Sequence, residues 1–157
     1  MISLLVLFSI SATTVAEEPQ FGGVLRVATT ASPPTLDPHV TTHIAIREVG
    51  LHIFESLVAF DKNFNIVPQL AKSWQISEDG LKYTFKLRKG VPFHNGDEMK
   101  AEDVKASVDR FLKVSIRKKE FKTLKSVKVV DNYTVVFTLT KPTGSFLASL
   151  ANPIAQL

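Results

Sequence analysis

LAKSWQISEDGLKYTFKLRKGVPFHNGDEMKAEDVKASVDRFL, residues 70–112, carries the change of period from which the architecture is read. From Leu81 to Arg88 apolar and polar residues alternate strictly, with Tyr83, Phe85 and Leu87 on one face and Lys82, Thr84, Lys86 and Arg88 on the other. A period of two with one wet face describes a half-buried antiparallel strand. Ser77-Glu78-Asp79-Gly80 before it is a tight turn whose glycine is placed to take a positive φ, so Ala71–Ile76 and Leu81–Arg88 form a hairpin. Trp74 joins Tyr83 and Phe85 on its core face. Gly90, Pro92 and His94-Asn95-Gly96 mark a loop. From Ala101 the period lengthens: Val104, Val108, Phe111 and Leu112 stripe a helix whose first turn holds Glu102 and Asp103, where the helix dipole favours negative charge. Lys100 occupies the N-cap, a poor residue for that position.

Working outward, a second hairpin follows. Val127 and Val129 face Val135, Phe137 and Leu139 across Asp131-Asn132-Tyr133, Pro142 stops the return strand, and Ser145–Ala151 opens a third helix. Upstream, Asp61–Asn65 is a polar turn leading through Val67-Pro68-Gln69-Leu70. Ile46, Val49, Ile53 and Leu57 predict a helix from a cap at Thr41 or Thr42 to about Leu57. Val24–Thr30 (VLRVATT) reads as a strand that ends where Pro33-Pro34 forces an extended exit. At the N-terminus, Ile2–Ile10 is an apolar run with small residues at Thr14 and Ala16. It is too short to span a bilayer and fits a signal peptide cleaved after Ala16, although no Lys or Arg precedes it.

The 157 residues are 45% hydrophobic and 22% charged, an ordinary globular composition that excludes wholesale disorder. The net charge of +4 is too mild to imply nucleic acid. The absence of cysteine excludes a disulfide framework, a thiol nucleophile, cysteine-ligated zinc and a lipid-modified cysteine anchor.

From Gly22 to about Pro153 the order of motifs resembles family 5 of the bacterial extracellular solute-binding proteins, the oligopeptide-, dipeptide-, nickel- and glutathione-binding components of ABC importers. Residues 70–112 carry most of the resemblance; GGVLRVA, PTLDPH and HIFESLVAFD add to it. Lys100 and the basic stretch Arg117–Glu120 depart from the pattern, and family members are several times longer. The resemblance implies an α/β, periplasmic-binding-protein-like two-lobed fold (type II) that closes on ligand at a cleft. Only part of the first lobe and its extra subdomain are expected here: signal peptide 1–16, start of the first lobe 17–60, and extra subdomain 61–157. The implied function is capture of peptides or similar solutes for a membrane permease, by a soluble, monomeric, periplasmic protein without covalent chemistry or cofactor. Most anchors for a peptide ligand are expected outside this sequence.

Ligands of open α/β folds bind beyond the carboxyl ends of strands, so the loop Thr29, Thr30, Ala31 and Ser32 is the expected cleft lining. His39 and His43 are four apart, but His39 precedes the helix and no third ligand of clear spacing follows, so the pair does not read as a metal site. His52 and His94 read as structural. Lys113–Lys128 holds seven basic residues against Glu120 and reads as a solvated face, with anionic lipid or an acidic permease patch as the alternative. An enzyme is the competing class. The nucleophile elbow, the paired-histidine metalloprotease motif and the phosphate loop are all absent, and Ser145 in Thr143-Gly144-Ser145 lacks the second glycine of an elbow.

Overall fold

A computed structural model describes residues 22–29 and 31–152. Its centre is a four-stranded antiparallel sheet. The hairpin β3 (Ala71–Ile76) and β4 (Lys82–Leu87) pairs with the hairpin β5 (Leu124–Asp131) and β6 (Thr134–Leu139) in the order β3-β4-β6-β5. Both hairpins stand where the alternation places them, and Gly80 takes φ +66° in the first turn. The join is new: β4 and β6 lie side by side at the centre, with Phe85 opposite Val135 and Tyr83 opposite Phe137. Two further strands, β1 (Val58–Phe60) and β2 (Ile66–Pro68), form a separate short hairpin. Its turn is closed by the Asp61 carboxylate, which accepts the backbone N–H groups of Asn63 and Asn65, each at 2.8 Å. The expected domain boundary at 60–61 therefore falls inside a hairpin.

Register explains which face is buried. In antiparallel strands, directly opposed residues point to the same side. Tyr83, Phe85 and Leu87 of β4 and Val135, Phe137 and Leu139 of β6 thus make one continuous apolar surface, all buried. Onto it packs α2 (Ala101–Val114) through Val104, Val108 and Phe111. The weak cap at Lys100 is repaired from inside the helix, where the Asp103 carboxylate accepts the Lys100 backbone N–H at 2.7 Å. Beyond α2, Phe121 from a short 3-10 turn (Lys118–Phe121) and Phe146 from α3 (Phe146–Leu150) close the layer. Aromatic rings run through this core in edge-on or tilted contacts, Phe85–Phe137 at 5.3 Å, Phe137–Phe146 at 5.8 Å and Tyr83–Phe146 at 4.8 Å between centroids. Such geometries add about 0.5–1.5 kcal/mol per pair beyond area burial. Trp74, opposite Phe85 at the sheet margin, is only partly buried.

Three bulges interrupt the ladders. Lys72 is the extra residue between the Ala71–Leu87 and Ser73–Lys86 pairs, Lys125 between Leu124–Leu139 and Ser126–Thr138, and Val130 between Val129–Val135 and Asp131–Thr134.

Two expectations are corrected. Residues 24–29 belong to no ladder, and Val24, Leu25 and Val27 are 86%, 87% and 72% exposed. A β-branched run becomes a strand only beside a partner, and the described residues supply none. The upstream helix, α1, is only Ile44–Gly50. His43 caps it, its Nδ1 accepting the Ala45 N–H at 3.3 Å, while Thr41 accepts the N–H of His43 instead of capping the helix. After Gly50 the chain turns, so Ile53 and Leu57 continue the helical spacing without the helix. Leu57 is buried just ahead of β1.

Candidate functional site

Of the expected cleft loop, Thr29, Ala31 and Ser32 are exposed, and Thr30 lies outside the described residues. The Thr29 hydroxyl donates to the Ala31 carbonyl at 3.0 Å. Thr29, Ala31 and Ser32 are thus accessible to a ligand.

The structure instead builds a polar junction that the sequence does not announce. Thr35-Leu36-Asp37-Pro38-His39 lies against α2. The Thr35 hydroxyl accepts the Asp37 N–H at 3.1 Å, and the Asp37 carboxylate accepts the His39 N–H at 3.0 Å, which fixes the loop around Pro38. Arg110, on the exposed flank of α2, donates through both terminal nitrogens to the Asp37 carboxylate. The same guanidinium donates to His39 Nδ1 at 2.9 Å. A guanidinium has only donors, so this contact is a hydrogen bond in the tautomer that leaves the Nδ1 lone pair free. The His39 ring is 5% exposed and meets Phe111 edge-on at 5.3 Å. Beside this junction is a cavity of about 410 Å³ walled by Leu36, Pro38 and Phe54. Asp37 and Arg110 are already paired, so the cavity offers a ligand mainly apolar surface.

The charge pair has a pH signature. The Arg110 hydrogen bonds hold the Asp37 carboxyl below its ordinary value of 3.8. A carboxylate with a depressed folded pKa stabilises above the unfolded value, and that contribution is lost as pH falls through the folded value. Asp37→Asn is expected to cost about 0.5–1 kcal/mol at pH 7, a range set by the solvent exposure of Arg110. In urea unfolding the gap between wild type and variant should narrow as pH falls below 3.8, through the lowered folded value. A gap that persists unchanged at low pH would assign the cost to the loop turn instead of the ion pair.

Two of the other histidines have structural partners. His43 caps α1, and His94 Nε2 lies 3.1 Å from the Ile53 carbonyl, tying the loop before α2 to the segment after α1. His52 is exposed on the turn that follows α1. The pairing of Asp37 with Arg110 spans 73 residues, and no local pattern links them. The only signal was the turn chemistry of Asp37-Pro38.

Comparison with known proteins gives concordant matches. Residues 65–157 match the family model described as bacterial extracellular solute-binding proteins, family 5 Middle. The glutathione-binding protein of Pectobacterium atrosepticum is 36% identical over 126 residues, 78% of this chain and 24% of that protein. Among solved structures, the binding protein AgaA from A. tumefaciens R10, in complex with agropinic acid, superposes with a TM-score of 0.74 at 35% identity, covering 80% of this chain and 26% of its own. The peptide-bound OppA of Listeria monocytogenes gives a TM-score of 0.76 at 26% identity, covering 82% and 29%. The chain spans about a quarter of the length of the curated relatives it matches.

Proposed function

Because this chain belongs to the bacterial extracellular solute-binding proteins of family 5, we propose that it acts in the extracytoplasmic substrate-binding component of an ABC importer, capturing peptides or similar small solutes and delivering them to a membrane permease. The observation that carries this reading is the family match over residues 65–157, which spans the sheet, α2 and α3. Binding proteins act by desolvating a ligand between lobes and releasing it unchanged, so no covalent step is assigned. Glutathione and short peptides are the first ligands to test, since the named relatives bind them.

The proposed layout places a signal peptide at 1–16, the start of the first lobe at 17–60 and the extra subdomain at 61–157. The β1–β2 hairpin ties the last two together. In this layout Thr29–Ser32 line the cleft, and the processed protein is soluble, monomeric and periplasmic without a lipid anchor. Among the described residues no helix is long and apolar enough to cross a membrane.

Lobe complementation tests the function. Residues 17–152 would be joined to the remaining part of the Pectobacterium glutathione-binding protein and compared with residues 17–157 alone. Ligand at a hundredfold excess over its Kd stabilises a binder by about 2.7 kcal/mol. Glutathione or a di- to pentapeptide mixture should raise the melting temperature of the joined protein and be recovered intact, while the shorter piece shows no saturable calorimetric binding. Tight binding by residues 17–157 alone, or conversion of the ligand, contradicts the reading.

A further inference from the structure

The sheet face turned away from the aromatic layer holds a groove of about 610 Å³ lined by Lys72, Lys86, Lys89, Asp131, Tyr133 and Thr134. Three chain segments meet here: the bulge of β3, the end of β4 and the β5–β6 turn. Among the described residues none of the three lysines forms an ion pair with a carboxylate. The one acid of the lining is already engaged. Asp131 accepts the Tyr133 N–H at 2.8 Å and the Thr134 hydroxyl, and Thr134 in turn accepts from Lys86 Nζ at 2.9 Å. Lys89 Nζ stands 5.1 Å from the centre of the Tyr133 ring, whose hydroxyl donates to Glu98 at 2.9 Å. Glu98 also accepts the Gly90 N–H at 2.6 Å. Both carboxylates are thus held by internal donors, while the ammonium groups keep N–H donors for a guest anion. Lysine recognises phosphate as a compact point charge, without demanding the fork geometry of arginine.

The cationic field extends past the groove. Lys82, opposite Thr138, and Lys128, opposite Val136, stand on the same face. A small free anion would meet only the groove lysines, whereas an extended anionic surface meets them all. We propose that this sheet face docks the chain on an anionic lipid surface, with a headgroup phosphate seated among Lys72, Lys86 and Lys89. The proposal is independent of the importer reading, because it concerns residues outside the proposed cleft loop and its test contains no transported solute.

The test is cosedimentation of the full chain with vesicles of about 30% phosphatidylglycerol in phosphatidylcholine, each surface lysine contributing on the order of a five- to tenfold gain in partition. Neutral phosphatidylcholine vesicles, on which the apolar run Ile2–Ile10 acts equally, give the baseline. Partition onto the anionic vesicles should exceed that baseline at least about tenfold and fall as salt shortens the screening length. The triple variant K72E/K86E/K89E should lose at least about tenfold, again on the per-lysine scale. The triple variant K62E/K118E/K119E, which removes the same net charge elsewhere, should stay within about threefold of wild type. Should the first variant fail to fold by circular dichroism, the corresponding Lys→Gln triple replaces it with a smaller loss expected. Equal losses in the two triples would show that net charge acts without a site. Equal binding to neutral and anionic vesicles overturns the proposal outright. Saturable binding of soluble glycerophosphate without vesicle binding overturns the lipid assignment.

Discussion

Phe85→Ala is expected to destabilise the protein by about 3–5 kcal/mol, while Lys86→Ala next to it costs about 0.5 kcal/mol or less. Phe85 is 0% exposed at the middle of β4, opposite Val135, with the Phe137 ring 5.3 Å away. Truncation removes the apolar burial and leaves a void that neighbours on two central strands cannot collapse to fill. Lys86 points to the other side of the sheet, where its ammonium reaches Thr134 and otherwise meets water. Urea unfolding of the two variants separates the cases, with the midpoint falling at unchanged slope for Phe85→Ala. Comparable costs at the two positions would mean that the faces of β4 are reversed.

Phe146→Ala should cost a similar amount, about 3–5 kcal/mol, and should do so with a local signature. The ring is 1% exposed and touches Tyr83, Phe137 and Phe121 at 4.8, 5.8 and 5.9 Å. The helix that carries it has five residues, too few to be stable without tertiary support. Phe146 and Leu150 are its buried side chains, with Leu147 packed against the core beside them. The amides of Ser149 and Ala151, bonded to the carbonyls of Ser145 and Leu147 at 2.9 Å, should therefore lose hydrogen-exchange protection first. Phe146→Leu, which keeps much of the volume, is expected to cost only about 1–2 kcal/mol. Full protection of Ser149 in the Ala variant would show that α3 is held by other contacts.

The parts of this fold that the sequence foretold are those whose cause is local. Alternation from Lys82 to Leu87 follows from one buried face, Gly80 from the φ of its turn, and the α2 stripe from 3.6-residue periodicity. The second hairpin is equally local, its strands separated only by Asn132 and Tyr133. What was misread depends on distant partners. Val24–Thr29 has strand composition without a ladder to join, and Ile53 and Leu57 keep helical spacing past the turn at Leu51. Pairing of β4 with β6 joins residues fifty apart, and Asp37 meets Arg110 across most of the described chain. Period-two spacing reads Trp74 onto the core face, but β3 is the outermost strand and leaves that ring half covered. Of the candidate site, Thr29–Ser32 came from a rule about strand ends, and Thr29, Ala31 and Ser32 are exposed. The lysine groove was invisible because its residues come from three separated segments, none conspicuous alone.

All three bulges fall on β3 or β5, the two edge strands, and none on the central pair. Two of the three extra residues are lysines, Lys72 and Lys125. An open strand edge is a template on which another copy can add a strand, and the risk is greatest for a long, flat, uncharged edge. A bulge breaks the spacing of free N–H and C=O groups and sharpens the local twist, and a lysine at the same point sets like charge against like. The regular ladder is thus kept inside, where it is already paired, and the irregularity is spent where a second molecule could add. The sheet carries its own barrier to edge-to-edge self-assembly, built from residues that take no part in its core.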